Sequence, residues 1–176
     1  MEFIKNLELV DLTSIIPAVF ALLGVMISNY YNGKRAQQDF ANSVQLKEKE
    51  LKRAKLEEMH FLFQKWELDV IGMCEVFKPC FSKKRTLAEA IELSMQNRLQ
   101  EKSDQQKFQT LMQLYFDDID GEYNKVIEKS SKVLEYCQLG VSLNSKKLAS
   151  FQEDQAKFIE QAKTFKQVLA QQVRQL

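Results

Sequence analysis

Apolar residues are distributed along this chain in two ways. Between Asp11 and Lys34 lie twenty-two residues without a charge, LTSIIPAVFALLGVMISNYYNG, apolar on every side of a helix. Beyond Lys34 they recur at spacings of three and four among charged residues. At 1.5 Å per residue, positions 12–31 cover about 30 Å, the thickness of a bilayer's hydrocarbon core, and the pattern predicts a transmembrane helix. The strictly apolar centre, 15–27, is shorter, which sets a signal-peptide core and a buried helix beside that reading. A signal peptide calls for a basic leader and a small-x-small cleavage site, but Glu2, Glu8 and Asp11 outweigh Lys5 and no such site follows. A buried helix of a domain as polar as the rest of this chain shows one apolar face rather than a whole circumference. Lys34, Arg35, Lys47 and Lys49 follow the span closely, so the positive-inside rule leaves the leader outside and the large C-terminal part in the cytosol. Phe3, Ile4, Leu7 and Val10 share one side of the leader.

The remainder reads as long helices. A first piece over 34–78 is continuous with the span or hinged at Gly33. Its proximal part, KEKELKRAKLEE, offers only Leu51, Ala54 and Leu56 for burial and alternates charges, as a solvated stalk does. Its distal part carries Met59, Leu62, Trp66, Val70, Met73 and Phe77 in one stripe. Pro79 is expected to break this helix and CFSKKR to form a loop. Thr86 with Glu89 makes a capping box for a second helix ending near Lys102. A third runs from Asp104 with Phe108, Met112, Tyr115, Ile119, Val126, Val133 and Cys137 along one side and a bend at Gly121; Gly140, Ser142, Asn144 and Ser145 close it and cap the next. The last, 146–176, alternates steps of three and four without a slip through Leu148, Phe151, Gln155, Phe158, Ala162, Phe165, Leu169, Gln172 and Leu176. This is a bundle or coiled-coil seam, satisfied inside the chain's own four-helix domain or by a second copy. The expected fold class is all-α, with four regions: an extracytoplasmic leader (1–11), a transmembrane helix (12–33), a charged stalk (34–58) and a cytosolic bundle of long helices (59–176).

Five Gly and two Pro in 176 residues suit helices rather than a turn-rich sheet fold. A net charge of +1 argues against direct nucleic-acid binding, and the acids of the stalk cancel its bases. The three cysteines, Cys74, Cys80 and Cys137, lack zinc-knuckle spacing, one histidine does not complete a zinc set, and thiols in the cytosol stay reduced. Asp117, Asp118, Asp120, Gly121 and Glu122 match only part of a calcium loop, because Phe116 and Ile127 fall where its first and last ligands belong. No phosphate loop, nucleophile elbow or zinc-protease sequence is present, and no cofactor is expected.

Two constellations remain. Pro17, Ala21, Gly24 and Ser28, with Asn29 beside them, line one face of the span with small residues, which in lipid lets helices approach closely and associate. His60 follows Arg53 by two helical turns. That pair resembles the composite ribonuclease motif of helical HEPN domains, at the edge of its spacing and with Ala54 where a polar residue is usual. One N-terminal span, a charged stalk, an all-α body and the Arg53/His60 pair together resemble the small membrane accessory proteins of type VI-B, RNA-targeting CRISPR systems. That resemblance implies a homo-oligomeric pore in the bacterial inner membrane that strengthens antiviral defence, with membrane lipid and a CRISPR effector or its RNA products as partners. The weak Arg53/His60 match makes a pore, or a tethered scaffold, the expectation ahead of an enzyme.

Overall fold

The computed structural model describes the backbone of residues 2–138 and 141–175 and the side chains of 15–138 and 141–175. The leader's apolar side, Thr13, Ser14, Gly140 and Leu176 therefore lie outside the described side chains. The fold is all-α: α1 (Glu2–Phe81), α2 (Leu87–Gln96), α3 (Asp104–Tyr115), α4 (Asp120–Leu134) and α5 (Ser145–Gln175), with single 3-10 turns at Asp117–Ile119 and Glu135–Cys137. The helix of α1 runs unbroken through Gly33. By contacts the chain divides into one unit of residues 1–49 and a second of 50–176. The division falls inside the charged stretch, and among the described side chains Leu56 is the first that is fully buried.

Pro79 does not end α1. Its missing N–H removes one hydrogen bond, while the added turn brings Cys80 and Phe81 into the interior. The helix ends two residues later, at Phe81. Lys83 takes a left-handed conformation (φ 57°), its N–H reaches the Cys80 carbonyl at 3.1 Å, and the Lys84 N–H reaches the Pro79 carbonyl at 3.0 Å. Those two bonds form a Schellman cap with lysine where glycine is usual. Lys83→Gly is expected to relieve the Cβ strain and stabilise the helical body by about 0.5–1 kcal/mol. A thermal midpoint a few degrees higher by circular dichroism is the check, and a lower one would show the strain to be absent.

The capping box of α2 is complete: Thr86 Oγ1 accepts from the Glu89 N–H (3.3 Å) and Glu89 Oε2 from the Thr86 N–H (2.9 Å). The helix ends at Gln96, six residues short of Lys102. Asp69 on α1 accepts from the backbone N–H groups of Leu99 (2.7 Å) and Gln100 (2.9 Å), drawing the chain out of the helical path. The bend expected at Gly121 lies instead at Phe116 (φ −146°, ψ 47°), whose ring turns into the core. Gly121 is an ordinary helical residue of α4. At α5, Asn144 Oδ1 accepts from the Lys146 and Lys147 N–H groups at 3.1 and 3.2 Å and so caps the helix.

The body's core is aromatic. Phe63 of α1 lies 4.7 Å from Phe165 of α5, Phe108 lies 4.8 Å from Tyr123, and Phe81 lies 4.9 Å from Phe151, centroid to centroid. The α5 seam faces this interior: Phe151, Gln155, Phe158, Ala162, Phe165 and Leu169 are buried and Leu148 half-buried. Both glutamines that interrupt it are satisfied within the chain. Gln155 Nε2 donates to Glu75 Oε1 (3.1 Å) and Gln172 Nε2 to Asp118 Oδ2 (2.6 Å). Lys166 adds an ion pair from α5 to the buried Glu67 of α1 at 2.7 Å. The seam is therefore an internal packing surface of the body, and the stripe predicted on α1 is joined by a second track, Leu56, Phe63, Cys74 and Phe81.

Candidate functional site

Within the first unit, the segment from Ile15 to Tyr31 is the feature that packing inside the chain does not explain. Among the described residues α1 is the one helix long and apolar enough to cross a membrane, and no part of that apolar window is buried. Nine large apolar side chains between Ile15 and Ile27, from 47% to 69% exposed, point outward around the helix. Covering such groups is worth about 1.5–3 kcal/mol each when complete; halved for partial exposure, the nine together represent on the order of 10 kcal/mol. That matches the whole stability of a typical domain, roughly 5–15 kcal/mol, so water is a poor surrounding for this segment.

The small residues form a track along it. Pro17, Ala21, Gly24 and Ser28 are all exposed, as is Asn29. A Cβ built on Gly24 meets nothing within 4 Å, so the track has no intramolecular partner there. Ser28 Oγ accepts a long 3.4 Å hydrogen bond from Asn32 Nδ2 one turn on, which ties these two polar groups to each other. Tyr30 and Tyr31 stand edge to face at 5.8 Å, directly ahead of Lys34 and Arg35. Aromatic residues followed by basic ones are a pattern common at the ends of membrane spans, and one that spacing arguments alone pass over.

Arg53 and His60 stay two turns apart on α1, about 10 Å along its axis. Arg53 Nε donates to Glu57 Oε1 at 3.1 Å on a solvated face. His60 is half-buried and borders a cavity of about 320 Å³ with Leu56, Glu57, Leu169 and Val173. The guanidinium lining that cavity is Arg174 of α5, and Arg53 is not among its walls. The HEPN-like pair is thus not assembled as a pair within one chain.

The thiols are poor nucleophiles. Burial pushes Cys74 and Cys137 up to about 12 and raises Cys80, so each stays protonated at neutral pH. Cys80 Sγ instead contacts the Thr86 carbonyl at 3.6 Å, and Cys137 Sγ the Val133 carbonyl at 3.8 Å. In the acidic run, Asn124 Nδ2 donates to Asp120 (2.8 Å) and Lys125 pairs with Glu122 (2.5 Å), as on a solvated helix face. No family model, curated protein or solved structure matches the chain.

Proposed function

We propose that this protein is anchored in a membrane by one helix over residues 12–33, holds its helical body in the cytosol, and self-associates in the lipid through the Pro17–Ala21–Gly24–Ser28 track. The observation that carries this reading is the wholly unburied apolar circumference of 15–31 beside a body that buries an aromatic core and exposes large apolar side chains only singly. A core helix would have lost that surface to packing, and a removable signal would not be preceded by an acidic leader. Lys34 and Arg35, with the tyrosine pair before them, support a cytosolic side at the C-terminal end of the span. Extended by the resemblance to CRISPR accessory proteins, the assembly is a pore of the bacterial inner membrane acting in antiviral defence, and the body is the part that meets the trigger.

Topology is the direct test. Alkaline phosphatase fused after residue 176 is expected to give no periplasmic activity in bacteria, with the fusion recovered in the membrane fraction. Strong periplasmic activity would reverse the orientation, and recovery of the parent chain in the soluble fraction would end the anchoring model.

A further inference from the structure

In the second unit a groove of about 510 Å³ is lined by α1 and α2, with Arg98 and Gln100 of the segment after α2, Gln105 of α3, and Leu134, Cys137 and Gln138 completing its walls. Its volume falls in the range of about 300–1,000 Å³ typical of small-molecule sites. Val70, Met73, Phe77, Ile91 and Leu134 make its walls apolar, and the unbranched Met73 and Met95 are adaptable wall groups for a flexible chain. Only two charged residues line it, Asp69 and Arg98. Both Asp69 oxygens are already occupied by the backbone N–H groups of Leu99 and Gln100, at 2.7 and 2.9 Å. Arg98 makes no hydrogen bond or ion pair with any described residue. The groove therefore presents an apolar trough with one guanidinium whose N–H donors are unused, beside the Asp69 carboxylate, whose two oxygens are held by backbone N–H groups.

We propose that this groove binds a free long-chain carboxylate, with the alkyl chain along Met73, Phe77 and Ile91 and the carboxylate on Arg98. One guanidinium matches one carboxylate in a two-bond fork, whereas a phosphate monoester carries more charge than a single arginine balances. A single trough of this size also suits one alkyl chain rather than the paired tails of a phospholipid. This inference stands on the body alone and is independent of how the first unit meets a membrane.

The chain's only tryptophan, Trp66, lines the groove and supplies the probe. Full-length protein in a detergent without bromine is titrated with 12-bromododecanoate, whose heavy atom quenches indole fluorescence on contact. Saturable quenching is expected. Arg98→Glu, an exposed change, should weaken apparent affinity about tenfold or more for the acid. The same change should leave the weaker quenching by 12-bromododecanol unaltered. Ser94→Phe fills the trough and should abolish quenching by both while the emission maximum of Trp66 is unmoved. Non-saturating quenching, or equal affinity for the acid in Arg98→Glu, would overturn the proposal. So would quenching that survives Ser94→Phe. Vesicles of brominated phosphatidylcholine separate the two sources of an alkyl chain: they are expected to leave Trp66 bright, and quenching by them as deep as by the free acid would refute the assignment to a free carboxylate.

Discussion

Gly24→Leu is expected to leave the protein in the membrane and to abolish its assembly. In a single chain a Cβ at this position meets nothing within 4 Å, so the larger side chain has no internal clash to cause. Leucine is also the better helix former, by roughly 0.8–1 kcal/mol, and keeps the segment apolar. Any loss must then arise between chains, where a branched side chain holds apart two helices that glycine lets approach. The parent is expected as a ring of several copies by mass measurement in detergent, and the variant as a smaller species. Cells that lose membrane potential when the parent is expressed are expected to keep it with the variant. Gly121→Leu is the matched control, since its Cβ position in the body is equally open and its face has no proposed partner. Equal oligomer size and equal depolarisation for Gly24→Leu and the parent would remove this track as the packing surface. A parent that is itself monomeric would remove the pore and leave a tethered scaffold.

What could be read from the sequence depended on whether the signal was local. Thr86 and Glu89 cap each other over three residues, and α2 begins where they place it. The α5 seam was legible for the same reason, because one uninterrupted period fixes one buried face. The end of α1 was hidden, since the left-handed cap position holds Lys83 rather than glycine and the conspicuous Pro79 lies inside the helix. The break at Phe116 was hidden differently. Met112, Ile119, Val126 and Val133 keep steps of seven across it, so the periodicity of a continuous helix survives although α3 stops and α4 starts. On α1 a single stripe missed Phe63, Cys74 and Phe81, because the helix packs on a face wider than one row. The candidate site divides along the same line. The small-residue track was visible as a spacing, whereas the groove of Trp66, Met73, Ile91, Arg98 and Leu134 draws on separate elements and has no period. Arg174 beside His60 was likewise out of reach, since the two are brought together only when α5 folds back on α1.

Phe165→Ala is expected to cost the body about 3–5 kcal/mol, the range for removing a fully buried phenylalanine. Phe165 is 0% exposed and its ring centroid lies 4.7 Å from Phe63, 5.7 Å from Tyr123 and 6.5 Å from Phe108. Those partners come from α1, α3 and α4, so the vacated volume borders three helices. None of them can move in without giving up contacts elsewhere, which places the cost toward the upper part of the range. Against a stability of roughly 5–15 kcal/mol, such a loss lowers the thermal midpoint by about 10–20 °C or leaves the body unfolded at 37 °C. Phe61→Ala separates this effect from the loss of a phenylalanine as such. Phe61 is 61% exposed on the opposite side of α1, where the Lys65 ammonium lies 5.7 Å from its ring, and its removal is expected to stay within about 0.5 kcal/mol. Urea unfolding followed by the fluorescence of Trp66, which lies 5.7 Å from Phe158 in the same aromatic core, reports both variants. A Phe165→Ala midpoint as small in its shift as that of Phe61→Ala would mean that α5 does not close on α1 inside one chain, and the seam would return to pairing with a second copy.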